Sequence, residues 1–336
     1  MIDPRDMAHC EEAIRHGSLS FHAASKLLPA KVRDPALALY AFCRLADDEV
    51  DLKAEKAEAV LRLRDRLDAV YAGRPREAAA DRAFAAIVED FQMPRALPDA
   101  LLEGLAWDAE GRRYDTLSGL VDYSARVASA VGVMMCVLMG VRETNALARA
   151  CDLGVAMQLT NIARDIGEDA LEGRIYLPLE WLEEAGISPE AFIANPRPTK
   201  AIRMMAKRLV MEANRLYMRS EAGVGGLPVS CRPGIYAARF IYAGIGSQLR
   251  QMDFDSISAR ARTNKAQKIG WLGKSMLLSA SSVVMPRSAV LYARPLEEVQ
   301  FLVDAAARTN RLGGRSDALI SVLTTLEQTS RTRARA

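Results

Sequence analysis

Two stretches of this sequence set aspartates four residues apart inside otherwise apolar helical runs, and that pairing most limits the folds open to the chain. In the segment from Tyr40 to Asp51, a period of 3.6 residues puts Tyr40, Arg44, Asp47 and Asp51 on one stripe. In the segment from Gly154 to Asp169, the same period aligns Gln158, Asn161, Asp165 and Asp169. Carboxylates at i and i+4 repel, and the Ala, Leu, Ile and Val around them turn towards a core. Each pair is therefore costly unless positive charge sits between its members. One such pair alone reads as a solvated helix face. Two pairs on apolar helices point instead to an oxygen-rich site shared between helices. Hard oxygen donors without His or Cys suit Mg²⁺, with Mn²⁺ as an alternative, and such ions keep waters and bridge to phosphate groups. Arg44 and Arg164, next to the stripes, suit diphosphate oxygens; an intrahelical ion pair is the other reading of Arg164.

The rest of the chain is consistent with an all-α fold. Stretches that read as helices run over 36–51, which holds no breaker, and over 54–71, 78–91, 98–111, 117–139, 144–169, 199–222, 233–252 and 265–278. Asp34 followed by Pro35 reads as a cap and first helical residue. No alternating strand pattern, nucleotide-binding glycine loop or internal repeat is visible. A single bundle over residues 1–295 with a central apolar cavity is expected, followed by a helix and a frayed basic tail over 296–336. The formal net charge is only +3 and no long Lys/Arg block occurs, which argues against a nucleic-acid partner. Five scattered cysteines, with no metal-ligand spacing, suit a reduced compartment. The three histidines, all near the N-terminus, supply neither a zinc site nor a catalytic triad. The first residues are charged, unlike a signal peptide. The longest uncharged stretch, Val127–Val141, is too short to span a bilayer and reads as a core helix. The expected location is the cytoplasm, with peripheral attachment to the inner membrane left open.

At four places the residues resemble a known family, the squalene/phytoene synthases, and among them the bacterial phytoene synthases. Ser18-Leu-Ser20-Phe21 is similar to the family's N-terminal S-x-S-F element. Tyr40 to Asp51 resembles its first Asp-rich motif. Tyr123 to Gly132 resembles its Y-x-x-x-V-A-G-x-V-G signature. Gln158 to Pro178 resembles its Q-x-x-N-x-x-R-D-x-x-x-D and R-x-Y-x-P elements. Tyr242 and Arg260 look like the family's downstream Tyr and diphosphate-binding Arg. There are departures: Ser129 stands where many relatives have Gly. Ala125 and Arg126 stand where many have aromatic residues, and Tyr123 is expected to point differently on the helix.

The resemblance implies an isoprenoid-synthase helical bundle and a Mg²⁺-dependent prenyltransferase. It would join two molecules of geranylgeranyl diphosphate head to head, through prephytoene diphosphate, to 15-cis-phytoene in carotenoid biosynthesis. It implies metal ligation by Asp47, Asp51, Asn161, Asp165 and Asp169, and substrate binding by Ser18, Ser20, Phe21, Arg44, Gln158, Asn161, Arg164 and Arg260. It places Tyr40, Arg44, Tyr242 and the four aspartates in catalysis. A water-insoluble product makes peripheral membrane contact and contact with other carotenoid-pathway enzymes plausible partners. The alternatives are a C30 squalene or dehydrosqualene synthase and a non-catalytic helical assembly factor. Ser25 and Leu37 stand where C15-using relatives tend to carry bulkier aromatics, which favours the longer substrate. The intact carboxylates disfavour the assembly factor.

Overall fold

The longest helix, Thr144–Leu171, carries the second Asp-rich stripe and forms the centre of the molecule. The structure is a computed structural model that describes residues 2–17, 24–51 and 56–307; the side chains of 13–17, 45–51, 56 and 57 lie outside that description. In chain order the helices are α1 (Pro4–Gly17), α2 (Ala30–Asp51), α3 (Lys56–Tyr71), α4 (Ala79–Phe91), α5 (Ala96–Ala109), α6 (Leu117–Leu138) and α7 (Thr144–Leu171). The short α8 (Leu179–Glu184) and α9 (Pro189–Ala194) follow, then α10 (Lys200–Val224), α11 (Arg232–Gln251), α12 (Lys265–Ser281) and α13 (Gln300–Ala306). No strand occurs among the described residues, so the fold is all-α. One compact unit runs from Met1 to Ala306.

Local chemistry sets the helix ends. The side chains of Thr116, Glu143, Ser188 and Thr199 accept backbone N–H groups at the starts of α6, α7, α9 and α10. Asn264 and Gln267 form a reciprocal capping box on α12. The expectation at Asp34-Pro35 is corrected: Pro35 lies inside α2, which starts at Ala30. The Pro29 carbonyl accepts the N–H groups of Val32 and Arg33 and nucleates the helix earlier. Pro35 is the sixth residue of α2, so it removes the donor to the Lys31 carbonyl and its ring crowds that oxygen, a cost the helix bears. The interruption at 174–198 is packed rather than loose, because Trp181, Leu182 and Phe192 are buried.

α7 is enclosed by its neighbours, most extensively α10, with α6 and α11 also packed on it. Across the α6–α7 crossing, a Cβ on Gly154 would lie 2.6 Å from the Ser129 Cα. The Ser129 hydroxyl donates to the Cys151 carbonyl at 2.8 Å. Serine in place of the usual glycine is thus accommodated, with the bare Cα supplied by α7. Beyond α7, the buried Arg66–Asp81 pair ties α3 to α4, and Phe42 stacks on Phe84 at 4.1 Å between α2 and α4. α6 is long and apolar enough to cross a membrane by length and composition, but two-thirds of its most apolar window is buried in the bundle. α13 buries Leu302, Val303 and Ala306.

Gly154→Ala is expected to destabilise the protein by about 1–3 kcal/mol, since two backbones must separate. Gly225, with φ −62° and nothing within 4 Å of an added Cβ, is the control: Gly225→Ala should leave the melting temperature unchanged or raised. Thermal denaturation of both variants checks this.

Candidate active site

The helices enclose a cavity of about 1070 Å³. Its walls are apolar where α6, α7 and α11 contribute Val127, Val131, Met135, Leu153, Met157, Ile235 and Ile245. At one end the lining turns polar: Tyr40 and Arg44 from α2, Asp108 from α5, Gln158, Asn161 and Arg164 from α7, Tyr242 from α11 and Arg260 from the following loop. A second pocket of about 170 Å³ shares Asp108, Tyr123, Gln158 and Asn161 with the first and adds Asp165, Asp169, Arg174 and Tyr176. The two adjoin through these shared residues, a charged mouth beside an apolar interior. Seven predicted residues from three helices and a loop therefore meet at this mouth, with Asp165 and Asp169 beside them. Asp47 and Asp51 belong to α2, but their side chains lie outside the described residues, as do Ser18, Ser20 and Phe21. Ser25 lines the cavity; Leu37 is buried but does not form part of its wall.

Positive charge does sit against the second stripe. Arg164 Nε donates to Asp165 at 2.7 Å, so the ion-pair reading of Arg164 holds while the residue also faces the cavity. Arg260 reaches the same carboxylate through Nε at 3.0 Å and Nη2 at 3.1 Å, and Glu168 through Nη1 at 3.1 Å. The loop that carries Arg260 is set by close approach. A Cβ on Gly167 would lie 2.8 Å from the Ser256 carbonyl oxygen, which accepts the Gly167 N–H at 3.2 Å. Asp253 and Phe254 take left-handed φ values of 51° and 56°. Asp255 then accepts the Ile257 and Ser258 N–H groups and pairs with Arg203 at 2.9 Å. Glycine inside the D-x-x-x-D motif is what allows the guanidinium to reach it.

Asp169, one turn on, is different. Burial, then the neighbouring Asp165 charge, push its carboxyl up to about 8. An oxygen-only group whose anion is disfavoured first by burial and then by an adjoining like charge has the character of a cation site. Asn161, Asp165 and Asp169 fit a divalent metal by donor chemistry. Among the described residues no three carboxylate, His or Cys side chains already form such a cluster, and the carboxylates of the first stripe are outside that set.

Several residues at the mouth were not in the predicted site. Asp108 accepts from Tyr123 Oη at 2.8 Å and from Tyr176 Oη at 2.7 Å, and the two rings stack at 5.3 Å. Burial pushes both phenols up, and the Asp108 charge adds to it, so they stay protonated donors. The signal was available: on α5, Leu101, Leu105 and Asp108 share one stripe, and Asp108 is its only charged member. Tyr123 does point differently from Ala125 and Arg126, and the direction it takes is towards the cavity, which neither of them lines. Tyr123, Val127 and Val131 stand at i, i+4 and i+8 and all line the cavity. Arg126 has a packing role instead: its guanidinium lies 4.3 Å from the Trp107 ring and pairs with Glu103 at 2.9 Å.

Without metal, the raised Asp169 fixes a sign. Its folded pKa lies above the unfolded one, so its stabilisation is complete below about pH 4 and is lost as pH rises through about 8. In chelator, wild-type protein should lose at least ~2 °C more between pH 6 and 9 than Asp169→Asn does. Parallel melting curves for the two proteins would refute the assignment.

The squalene/phytoene synthase family profile matches residues 14–267. The phytoene synthase of Cereibacter sphaeroides is 61% identical, covering 98% of this chain and 96% of that protein. That of Rhodobacter capsulatus is 58% identical, with 98% of each covered. The 15-cis-phytoene synthase of a Paracoccus species is 42% identical over 78% of this chain and 88% of its own length. Among solved structures, a ligand-bound dehydrosqualene synthase superposes with a TM-score of 0.76 at 29% identity, covering 82% of this chain and 97% of that one. With both aspartate stripes, the apolar cavity and these relatives in agreement, the chain belongs to the squalene/phytoene synthase family.

Proposed function

We propose that this chain condenses two molecules of geranylgeranyl diphosphate into 15-cis-phytoene. It is a prenyltransferase of the phytoene synthase type, acting on a prenyl diphosphate. The carrying observation is that a mouth of carboxylates and guanidiniums adjoins an apolar chamber and shares wall residues with it. The reaction needs both parts. Two C–O bonds break, two diphosphates leave, the two chains become joined through carbon, and two protons are lost. The intermediate is a cyclopropane diphosphate.

Arg44, Arg164 and Arg260 would bind diphosphate oxygens. Asn161, Asp165 and Asp169, with Asp47 and Asp51 on the other helix, would hold Mg²⁺ or Mn²⁺. Bound there, such ions would supply charge neutralisation at the departing diphosphate. Gln158 orients the phosphate groups. Asp108, through Tyr123 and Tyr176, fixes two phenol hydroxyls at the boundary between mouth and chamber. Tyr40 and Tyr242 line the same cavity, where their rings would stabilise an electron-poor chain. The chamber walls exclude water, which would otherwise capture an allylic cation. Ser25 in the cavity wall, in place of a bulky ring, lengthens the chamber and favours the C20 substrate.

Incubation of the purified protein with Mg²⁺ and either the C20 or the C15 diphosphate, without NADPH, should give a C40 hydrocarbon from the former. No hydrocarbon from either would overturn the enzyme reading, and a C30 product alone would overturn the choice of substrate. Asp47→Ala and Asp165→Ala should each lower turnover at least about a hundredfold while leaving the helical circular dichroism unchanged.

A further inference from the structure

α12 is built inside out. It buries Ser275 and Ser279 against the bundle, while Ile269, Met276 and Leu277 stand 68%, 54% and 74% exposed. The turn after it continues the pattern, with Val283, Val284 and Met285 at 58%, 84% and 66%. A soluble surface helix shows the opposite arrangement, and six large apolar side chains on one helix and its turn make a patch that calls for a partner.

The patch is held rigidly. Trp271 packs against Gly244 of α11 so closely that a Cβ there would lie 2.1 Å from the ring. Lys274 Nζ sits 4.3 Å from the Phe240 ring. The buried Arg232 donates from Nη1 to the Ser282 carbonyl at 3.0 Å and its hydroxyl at 2.9 Å, which fixes the start of the Val283–Met285 turn.

Charge selects the partner. Asp and Glu make up 42 of 336 residues, one in eight, yet none occurs in the 41 positions between Asp255 and Glu297; of the Lys and Arg there, Arg260, Arg262 and Lys268 line the cavity, and Lys265, Lys274, Arg287 and Arg294 are exposed outside it. A second copy docked on the same patch would set one basic surface against another. The segment 308–336, with six Arg against two acids, would do likewise. An anionic bilayer complements both properties, taking the apolar side chains at the acyl boundary and the cations at the headgroups.

We propose that the α12 face and the Val283–Met285 turn dock the protein on an anionic membrane surface. α12 packs on α11, whose Ile235, Tyr242 and Ile245 line the cavity, and Lys268 of α12 lines it too. The docked face therefore adjoins the chamber wall. A role in delivering an insoluble hydrocarbon to the bilayer rests on the proposed reaction; the docking itself does not.

The test is co-sedimentation of the full chain with vesicles of phosphatidylcholine alone or mixed with phosphatidylglycerol. Wild type should bind the mixed vesicles, more weakly as salt is raised. Leu277→Asp with Val284→Asp should lower that binding at least about tenfold. Lys265→Gln and Arg287→Gln should lower it roughly fivefold each. Circular dichroism and C20 turnover in detergent should be unchanged throughout. Equal binding to both vesicle types, or binding indifferent to the apolar and charge variants alike, overturns the proposal. So does a vesicle-free dimer that the apolar variant converts to monomer, since the patch would then be an interface between copies.

Discussion

Asp165 and Asp169 stand one turn apart on the inward stripe of a helix whose other faces are buried, and their mutual repulsion organises the surrounding structure. What relieves it at Asp165 is a pair of guanidiniums, one from the preceding residue and one delivered by a loop ninety-five positions downstream. At Asp169, burial and the Asp165 charge leave the carboxyl holding a proton at neutral pH. A site of this kind is preset to exchange protons and arginines for other cations, which suits binding an anion as highly charged as a diphosphate.

Backbone proximity makes the arrangement possible. Gly154 lets α6 close on α7 at Ser129, which brings Tyr123, Val127 and Val131 against the same chamber as Gln158 and Asn161. Gly167 does the same for the Ser256–Ile257 loop, and so for Arg260. A methyl group at either position would move helix or loop backbone by several tenths of an ångström or more, and groups that must meet around a diphosphate would separate. Polar mouth and apolar chamber thus depend on two positions that carry no chemistry themselves.

Much of this was legible in the sequence. The 3.6-residue period alone aligned Gln158 with Asp169 and Tyr40 with Arg44, and the structure turns each of these residues towards one cavity or its mouth. Pairing across the fold was not legible. Asp108 carries no motif, and its link to Tyr123 and Tyr176 spans fifteen and sixty-eight residues, a closure that only the meeting of α5 with α6 and with the segment before α8 reveals. Pro35 misled because Asp34-Pro35 has the pattern of a helix start, whereas the Pro29 carbonyl, accepting from Val32 and Arg33, begins the helix five residues earlier. The exposure of Ile269, Met276 and Leu277 was hidden as well, since the pattern of α12 reads equally well with either face inward.

The central claim is that the carboxylate and guanidinium mouth is a joint site for divalent cation and diphosphate. The most direct measurement is the thermal stability of the full chain with Mg²⁺, with inorganic diphosphate, and with both. Together they should stabilise the protein well beyond the sum of their separate effects, by about 2.7 kcal/mol at a hundredfold excess over the dissociation constant. In Asp165→Asn that added stabilisation should disappear. A purely additive response, or one of the same size in the variant, would contradict the account.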